Sequence, residues 1–144
     1  MNWSMSVAWF LLAAPSLASA CQVYGLEHEI KFLEGSATIR AAEIRSLIDW
    51  YLKKRDGWEG VLEAYVSAYS KPGNSASNML TQRRAKVVAD LVESLSAGRA
   101  IPMRVTVEGV ATPRLEAYST VVVGTQPVCL KTRSCCIWEF QQHQ

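Results

Sequence analysis

The chain is short of almost everything on which an active centre is usually built. Its 144 residues include two histidines, His28 and His143, at opposite ends of the sequence. Neither stands in the Ser, His, Asp or Cys, His order that nucleophilic catalysis uses. No local pattern marks two carboxylates as an acid and base facing each other across a cleft. The loop KPGNSASN lacks the closing Gly-Lys-Ser or Gly-Lys-Thr of a phosphate loop. An excess of one charge is missing as well, with 15 Lys and Arg against 13 Asp and Glu. The only basic cluster, Lys53, Lys54 and Arg55, reads as the end of a solvated helix, so no footprint for nucleic acid is present. His28 has no Cys, Asp or second His at ligand spacing and is expected to be a strand histidine with a local hydrogen bond. These absences point to a non-enzyme with neither metal nor cofactor.

Hydrophobic runs are also limited. The longest, VAWFLLAAPSLASA, is too short to span a bilayer comfortably and ends in small residues. Residues 1–20 therefore read as a secretory signal, although MNWSMS carries no Lys or Arg. The competing reading, a buried N-terminal helix, must bring Trp3, Trp9 and Phe10 into the core of a small domain. Ala18, Ser19 and Ala20 precede Cys21, so either simple cleavage or acylation of Cys21 in a partial lipoprotein box follows. A lipid on Cys21 is the only link to a membrane the sequence offers. Both routes lead beyond the inner membrane, where disulfides persist.

Residues 21–124 form the expected domain, and 125–144 a tail bearing Cys129, Cys135 and Cys136 with Trp138 and Phe140. Neighbouring cysteines rarely bond to each other, which pairs Cys129 with Cys135 or Cys136 and leaves the other for Cys21 unless Cys21 is acylated. A zinc site has little support, because His143 is the only nearby nitrogen ligand.

What the chain does have is periodicity. Glu27 to Phe32 alternates, with His28, Ile30 and Phe32 on one face. Ile44, Leu47, Ile48, Tyr51 and Leu52 recur on one side of a helix expected from near Thr38 to Lys54, with Trp50 at the border of the stripe. Val61 to Tyr69 alternates again, placing Leu62, Ala64, Val66 and Ala68 on one face. After the loop Ser70 to Asn78 comes a helix with the stripe Leu80, Val87, Val88, Leu91 and Leu95, stopped near Gly98. Strands follow at Met103 to Val110 and Ser119 to Val123. The order predicts an α/β (α+β) sandwich, β-α-β-α-β-β, with two helices on one face of a mixed four-stranded sheet.

Arg84 breaks the second helical stripe. It lies four residues after Leu80 and three before Val87, in the core-facing row near the loop end. A guanidinium costs too much to bury unpaired, so it either snorkels past the helix end or reaches beneath the loop to meet an anion.

The segments FLEGSATI, AYS, LTQRRAKVV and VTVEG resemble the C-terminal domain of OmpA-like proteins, which hold peptidoglycan without cutting it. The similarity runs from about Glu29 to Val123. The resemblance implies a periplasmic domain of a Gram-negative envelope, near the outer membrane, with the diaminopimelate-containing stem peptide as partner. It places Arg84, followed by Ala85, at the arginine that meets the ligand carboxylate. The family's Asp, which meets the ligand ammonium, falls at Ser70 or Lys71, and its Asn at Ser77, with Asn78 one place late. The expected ligand-binding set is thus Arg84, Ser70, Lys71, Ser77 and Asn78, with the acid gone. Two readings stand: weak binding of the stem peptide, or a decayed site on a domain that serves as a structural or protein-interaction part of an envelope assembly. A Glu63 or Glu108 carboxylate folded toward Arg84 would favour the first.

Overall fold

A computed structural model describes residues 26–57, 60–132 and 134. Its elements are β1 (Glu27–Lys31), α1 (Ala41–Asp56), β2 (Val61–Ser70), α2 (Ser75–Leu95), β3 (Met103–Gly109), a 3-10 turn (Leu115–Ser119), β4 (Thr120–Pro127) and α3 (Val128–Thr132). The strands form one sheet in the order β1-β4-β2-β3, with β4 antiparallel to both neighbours and β2 parallel to β3. This is the mixed four-stranded sheet and the β-α-β-α-β-β order that the periodicity predicts.

The alternation of each strand decides which side meets the helices. Ile30 and Phe32, then Val121, Val123 and Thr125, then Ala64, Val66, Ala68 and Ser70 are all buried. Leu47 and Tyr51 of α1 and Ala85, Val88 and Val92 of α2 close over them. Leu62 was expected on the same face but is 37% exposed. The pairing of β2 with β4 slips between Val61 and Glu63, which releases Leu62 from the pleat.

The helices differ from expectation in two ways. The backbone is still extended at Arg40, so α1 starts at Ala41 and not near Thr38, with Arg40 reaching Glu43 at 2.7 Å. In α2 the buried row is Thr81, Arg84, Ala85, Val88, Ala89 and Val92, while Val87 is 40% exposed. Alanines at 85 and 89 let the helix backbone approach the sheet, which turns the bulkier Leu80, Leu91 and Leu95 to the border. At the far end of α2, Tyr51 Oη and Ser96 Oγ share a buried hydrogen bond of 2.9 Å, and Arg55 donates to the Leu95 carbonyl at 2.8 Å. The chain then leaves the helix through left-handed Ala97 and Gly98.

His28 stacks on the Trp50 ring at 5.4 Å, and its Nε2 is buried without a hydrogen-bond partner. The expected local bond is therefore absent at that nitrogen. Burial lowers the pKa of His28 against the opposing pull of Glu43 and Glu29. Strand β4 continues through Thr125 to Pro127, and Cys129 of α3 is 3% exposed and not a free thiol. The signal segment 1–20, Cys21, Cys135, Cys136, Trp138, Phe140 and His143 lie outside the described residues. Among the described residues no helix is long and apolar enough to cross a membrane.

The helix-free side of the sheet has one close approach. A Cβ on Gly124 would lie 1.9 Å from Cζ of Tyr65, whose ring crosses β4 at that point and donates its hydroxyl proton to Glu27 on β1. Gly124→Ala must push the ring off that path. It is expected to destabilise the protein by about 1–3 kcal/mol in urea unfolding, and by far less in a Tyr65→Ala background. Equal losses in both backgrounds would show that the ring is not the obstacle.

Burial, followed by the hydrogen bond to Glu27 and its charge, pushes the Tyr65 hydroxyl up to about 12 from 10.0. Both states are protonated below pH 10, where the contribution is complete; above it the unfolded chain ionises first, so stability falls as the pH rises toward 12. Tyr65→Phe should flatten this alkaline loss in pH-dependent unfolding, and an unchanged slope would contradict the assignment.

Candidate functional site

The loops at one pole of the sheet are built around α2. β2 ends at Ser70, the backbone turns through Gly73 with a φ of 70°, and Asn74 caps α2 by accepting from the Ser77 N–H at 2.9 Å. The helix thus begins at Ser75, inside the stretch expected to be loop, so Ser77 and Asn78 belong to its first turn. Ser77 Oγ in turn accepts from the Lys71 N–H at 3.1 Å, closing the loop on itself. Thr81 Oγ1 reaches the Tyr69 carbonyl at 3.5 Å and Ser70 Oγ the Glu108 carbonyl at 3.5 Å, weak contacts that tie the loop to the strand ends.

Arg84 is 3% exposed. It does reach beneath the loops, but among the described residues it meets no carboxylate there. Nε donates to the Ser36 carbonyl at 2.7 Å, Nη2 to that of Leu33 at 2.8 Å and Nη1 to that of Tyr118 at 2.9 Å. The guanidinium also lies 5.2 Å from the Phe32 ring centre, within cation–π range. Leu33 and Ser36 bracket a tight turn containing left-handed Gly35, and Tyr118 sits in the 3-10 turn before β4. One side chain therefore joins α2 to the β1–α1 loop and to the β3–β4 connection. Burial lowers the pKa of Arg84, yet a guanidinium stays protonated at any ordinary pH, so the pole holds a buried positive charge. Glu63 pairs with Arg104 at 3.0 Å, and neither it nor Glu108 forms an ion pair with Arg84.

Tyr118 links the expected residues that lie on either side of it. Its carbonyl takes Arg84, its ring lies 6.0 Å from Lys71 Nζ, and its hydroxyl accepts from the Thr112 N–H and donates to the Val110 carbonyl, both at 3.1 Å. The structure thus gathers Arg84, Lys71 and Ser77 at one pole with exposed Asn78 on the first turn of α2. Ser70 is the exception. It is 2% exposed and its hydroxyl turns toward β3, because its place in the pleat is on the helix-covered face. Sequence reasoning missed Asn74, Phe32 and Tyr118. Asn74, after Pro72 and Gly73 and just before the helix, carries a cap signal that could have been read. Tyr118 and the two loop carbonyls carry none, since backbone acceptors have no residue type.

Among the described residues no group of His, Cys, Asp or Glu is placed to hold a metal ion. No protein-family model matches the chain, and no curated protein matches it. Among solved structures, similar ones include the OmpA-like domain of FopA1 from Francisella tularensis subsp. tularensis SCHU S4, at 16% identity over 74% of this chain and 78% of that one, with a TM-score of 0.45. The cell wall anchor of the T6SS from Pseudomonas aeruginosa is similar at 18% identity over 69% and 80%, TM-score 0.47. An outer membrane protein from Borrelia burgdorferi B31 is similar at 12% identity over 68% and 84%, TM-score 0.45. At these identities and scores the likeness carries no functional statement.

Replacing Arg84 by Met removes three charge-assisted hydrogen bonds and leaves three carbonyls to be rehydrated. Urea unfolding should show a loss of about 2–4 kcal/mol, with Arg84→Lys recovering only part because an ammonium cannot span three acceptors set around a planar fork. A loss below about 0.5 kcal/mol for the Met variant would mean that these bonds do not hold the pole together.

Proposed function

We propose that this chain is a non-catalytic domain of a Gram-negative cell envelope that contacts the peptidoglycan stem peptide at the loop pole, and holds it weakly. The single observation behind this reading is the Arg84 guanidinium, buried at the loop pole with only carbonyl partners among the described residues, so that its charge is open to a ligand carboxylate, although neither Glu63 nor Glu108 supplies the acid that would meet the ligand ammonium. Three of the five N–H groups that a guanidinium carries are engaged, leaving two for a ligand carboxylate. It sits at the position that the OmpA-like resemblance gives to the carboxylate-binding arginine. Weakness follows from the same geometry. Little of the side chain is open to a ligand, Ser70 is turned away, and Lys71 opposes an ammonium where the family has an acid. Lys71, Ser77 and Asn78 are left as the polar rim.

A second reading is favoured by a different observation, the completeness with which the loop carbonyls satisfy Arg84. In that case the arginine is a strut alone, and the domain is a structural or protein-interaction part of an envelope assembly. On either reading the location is the periplasm, reached by an N-terminal signal. We further propose that Cys129 pairs with Cys135 or Cys136 and that Cys21 takes the remaining cysteine or a lipid. The mass of the exported protein before and after reduction distinguishes these.

Sedimentation with isolated cell-wall sacculi tests the ligand. The wild-type chain should pellet in small amount. Lys71→Glu, which restores an acid where the ammonium binds, should raise the pelleted fraction several-fold, at about 1.5–3 kcal/mol for a charge-assisted contact. If neither protein pellets, peptidoglycan is not the ligand and the second reading stands.

A further inference from the structure

Strand β3 ends the sheet on one side, and among the described residues no strand pairs with its outer edge. Its seven residues, Met103–Gly109, contain no proline and no bulge, and Val105 is 49% exposed. The opposite edge, β1, is shorter and carries Glu27, Glu29 and Lys31, the usual protection against pairing. The direction of the backbone groups in β3 can be read from one bond. The Ala64 N–H donates to the Pro102 carbonyl at 2.9 Å, so Pro102 turns its backbone toward β2. Successive residues alternate, so Arg104, Thr106 and Glu108 do the same, while Met103, Val105 and Val107 direct their N–H and C=O groups outward. Between this edge and α2 runs a groove floored by Val105 and Val107 and walled by Gln82, Lys86 and Asp90.

We propose that this edge pairs with β3 of a second copy of the chain, antiparallel and centred on Thr106, so that two four-stranded sheets become one across a two-fold axis. Charge selects both the partner and the register. With Thr106 on the axis, Arg104 stands opposite Glu108 of the second copy, and Glu108 opposite Arg104 of the second copy. Val105 meets Val107 on the helix-covered face, where both direct their backbone groups at each other and complete the ladder. Centring on Val105 or Val107 keeps the ladder but loses both charge pairs. Centring between two residues sets outward groups against inward ones and loses the ladder. Arg104 is bonded to Glu63 of its own chain, but its side chain is 73% exposed and has donors to spare for a second carboxylate. A self-complementary edge of this kind is what an isologous two-fold contact requires.

The test is sedimentation velocity on the full chain with complementary charge reversals. Wild type should dimerise. Arg104→Glu alone and Glu108→Arg alone each place two like-charged pairs across the axis and should weaken the dimer by at least about tenfold, with circular dichroism unchanged. An equimolar mixture of the two variants re-forms both opposite-charge pairs and should dimerise again. Glu63→Gln, which touches only the internal bond, should leave the dimer intact. A wild-type chain that is monomeric at about 100 µM, a dimer indifferent to both reversals, or singles that do not recombine would each overturn the proposal.

Discussion

The structure depends on one guanidinium held by three main-chain carbonyls. Arg84 lies in the core-facing row of α2, where apolar side chains would otherwise be expected, and it spends its donors on Ser36, Leu33 and Tyr118. Carbonyl oxygens suit this role. They accept strong bonds from a charged donor without bringing a second ion into the interior, so the arrangement avoids desolvating a carboxylate as well. The cost is a positive charge that no carboxylate among the described residues cancels. The stacking on Phe32 softens that cost without removing it.

Two further contacts explain why the strut matters. At the other end of α2, Tyr51, Ser96 and Arg55 clamp the helix terminus to α1, so the helix is held at both ends and its small residues lie flat on the sheet. At the loop pole the β1–α1 turn and the 3-10 turn before β4 have few apolar side chains to bury, and Leu33 and Leu115 are among the most exposed large hydrophobic residues described. Phe32 and Ile39 anchor the two ends of the β1–α1 connection in the core, while its exposed tip takes its position from Arg84, and the β3–β4 connection takes its own from Arg84 and from the Tyr118 hydroxyl, which folds Val110 and Thr112 back over the site. The same side chain that would recognise a carboxylate is thus also the one that shapes the place where it would bind. On the proposed reading, that double use would limit the affinity of the pole for a ligand.

Much of this was legible in the residues, and the misses have definite causes. The strands and their order follow from two-residue alternation, because β2, β3 and β4 each show one apolar face to the helices. Arg84 stood out because its charge contradicts its place in a stripe. The buried face of α2 is rotated by a fraction of a turn from the stripe of large residues, because counting large residues favours Leu80 and Val87 whereas close packing favours Ala85 and Ala89. Reading Ser75 to Asn78 as loop places the start of α2 too late, because Asn74 is the cap and these residues form the first turn. Leu62 departs from the alternation because of a slip in strand register, which depends on the partner strand. The identity of Arg84's partners could not be read at all, because the acceptors are backbone atoms brought together from positions 33, 36 and 118 by the fold.

The most direct measurement is the nitrogen-15 resonance of the Arg84 Nε–H in the folded protein near neutral pH. A guanidinium enclosed by three carbonyls should give a single sharp Nε–H signal whose proton exchanges with water at least about 100-fold more slowly than those of the exposed arginines, and Ser36→Pro, which displaces the acceptor turn, should abolish that protection. An Arg84 signal that exchanges as fast as its exposed counterparts would contradict the account, because the side chain would then be in solvent and the loops would owe their positions to something else.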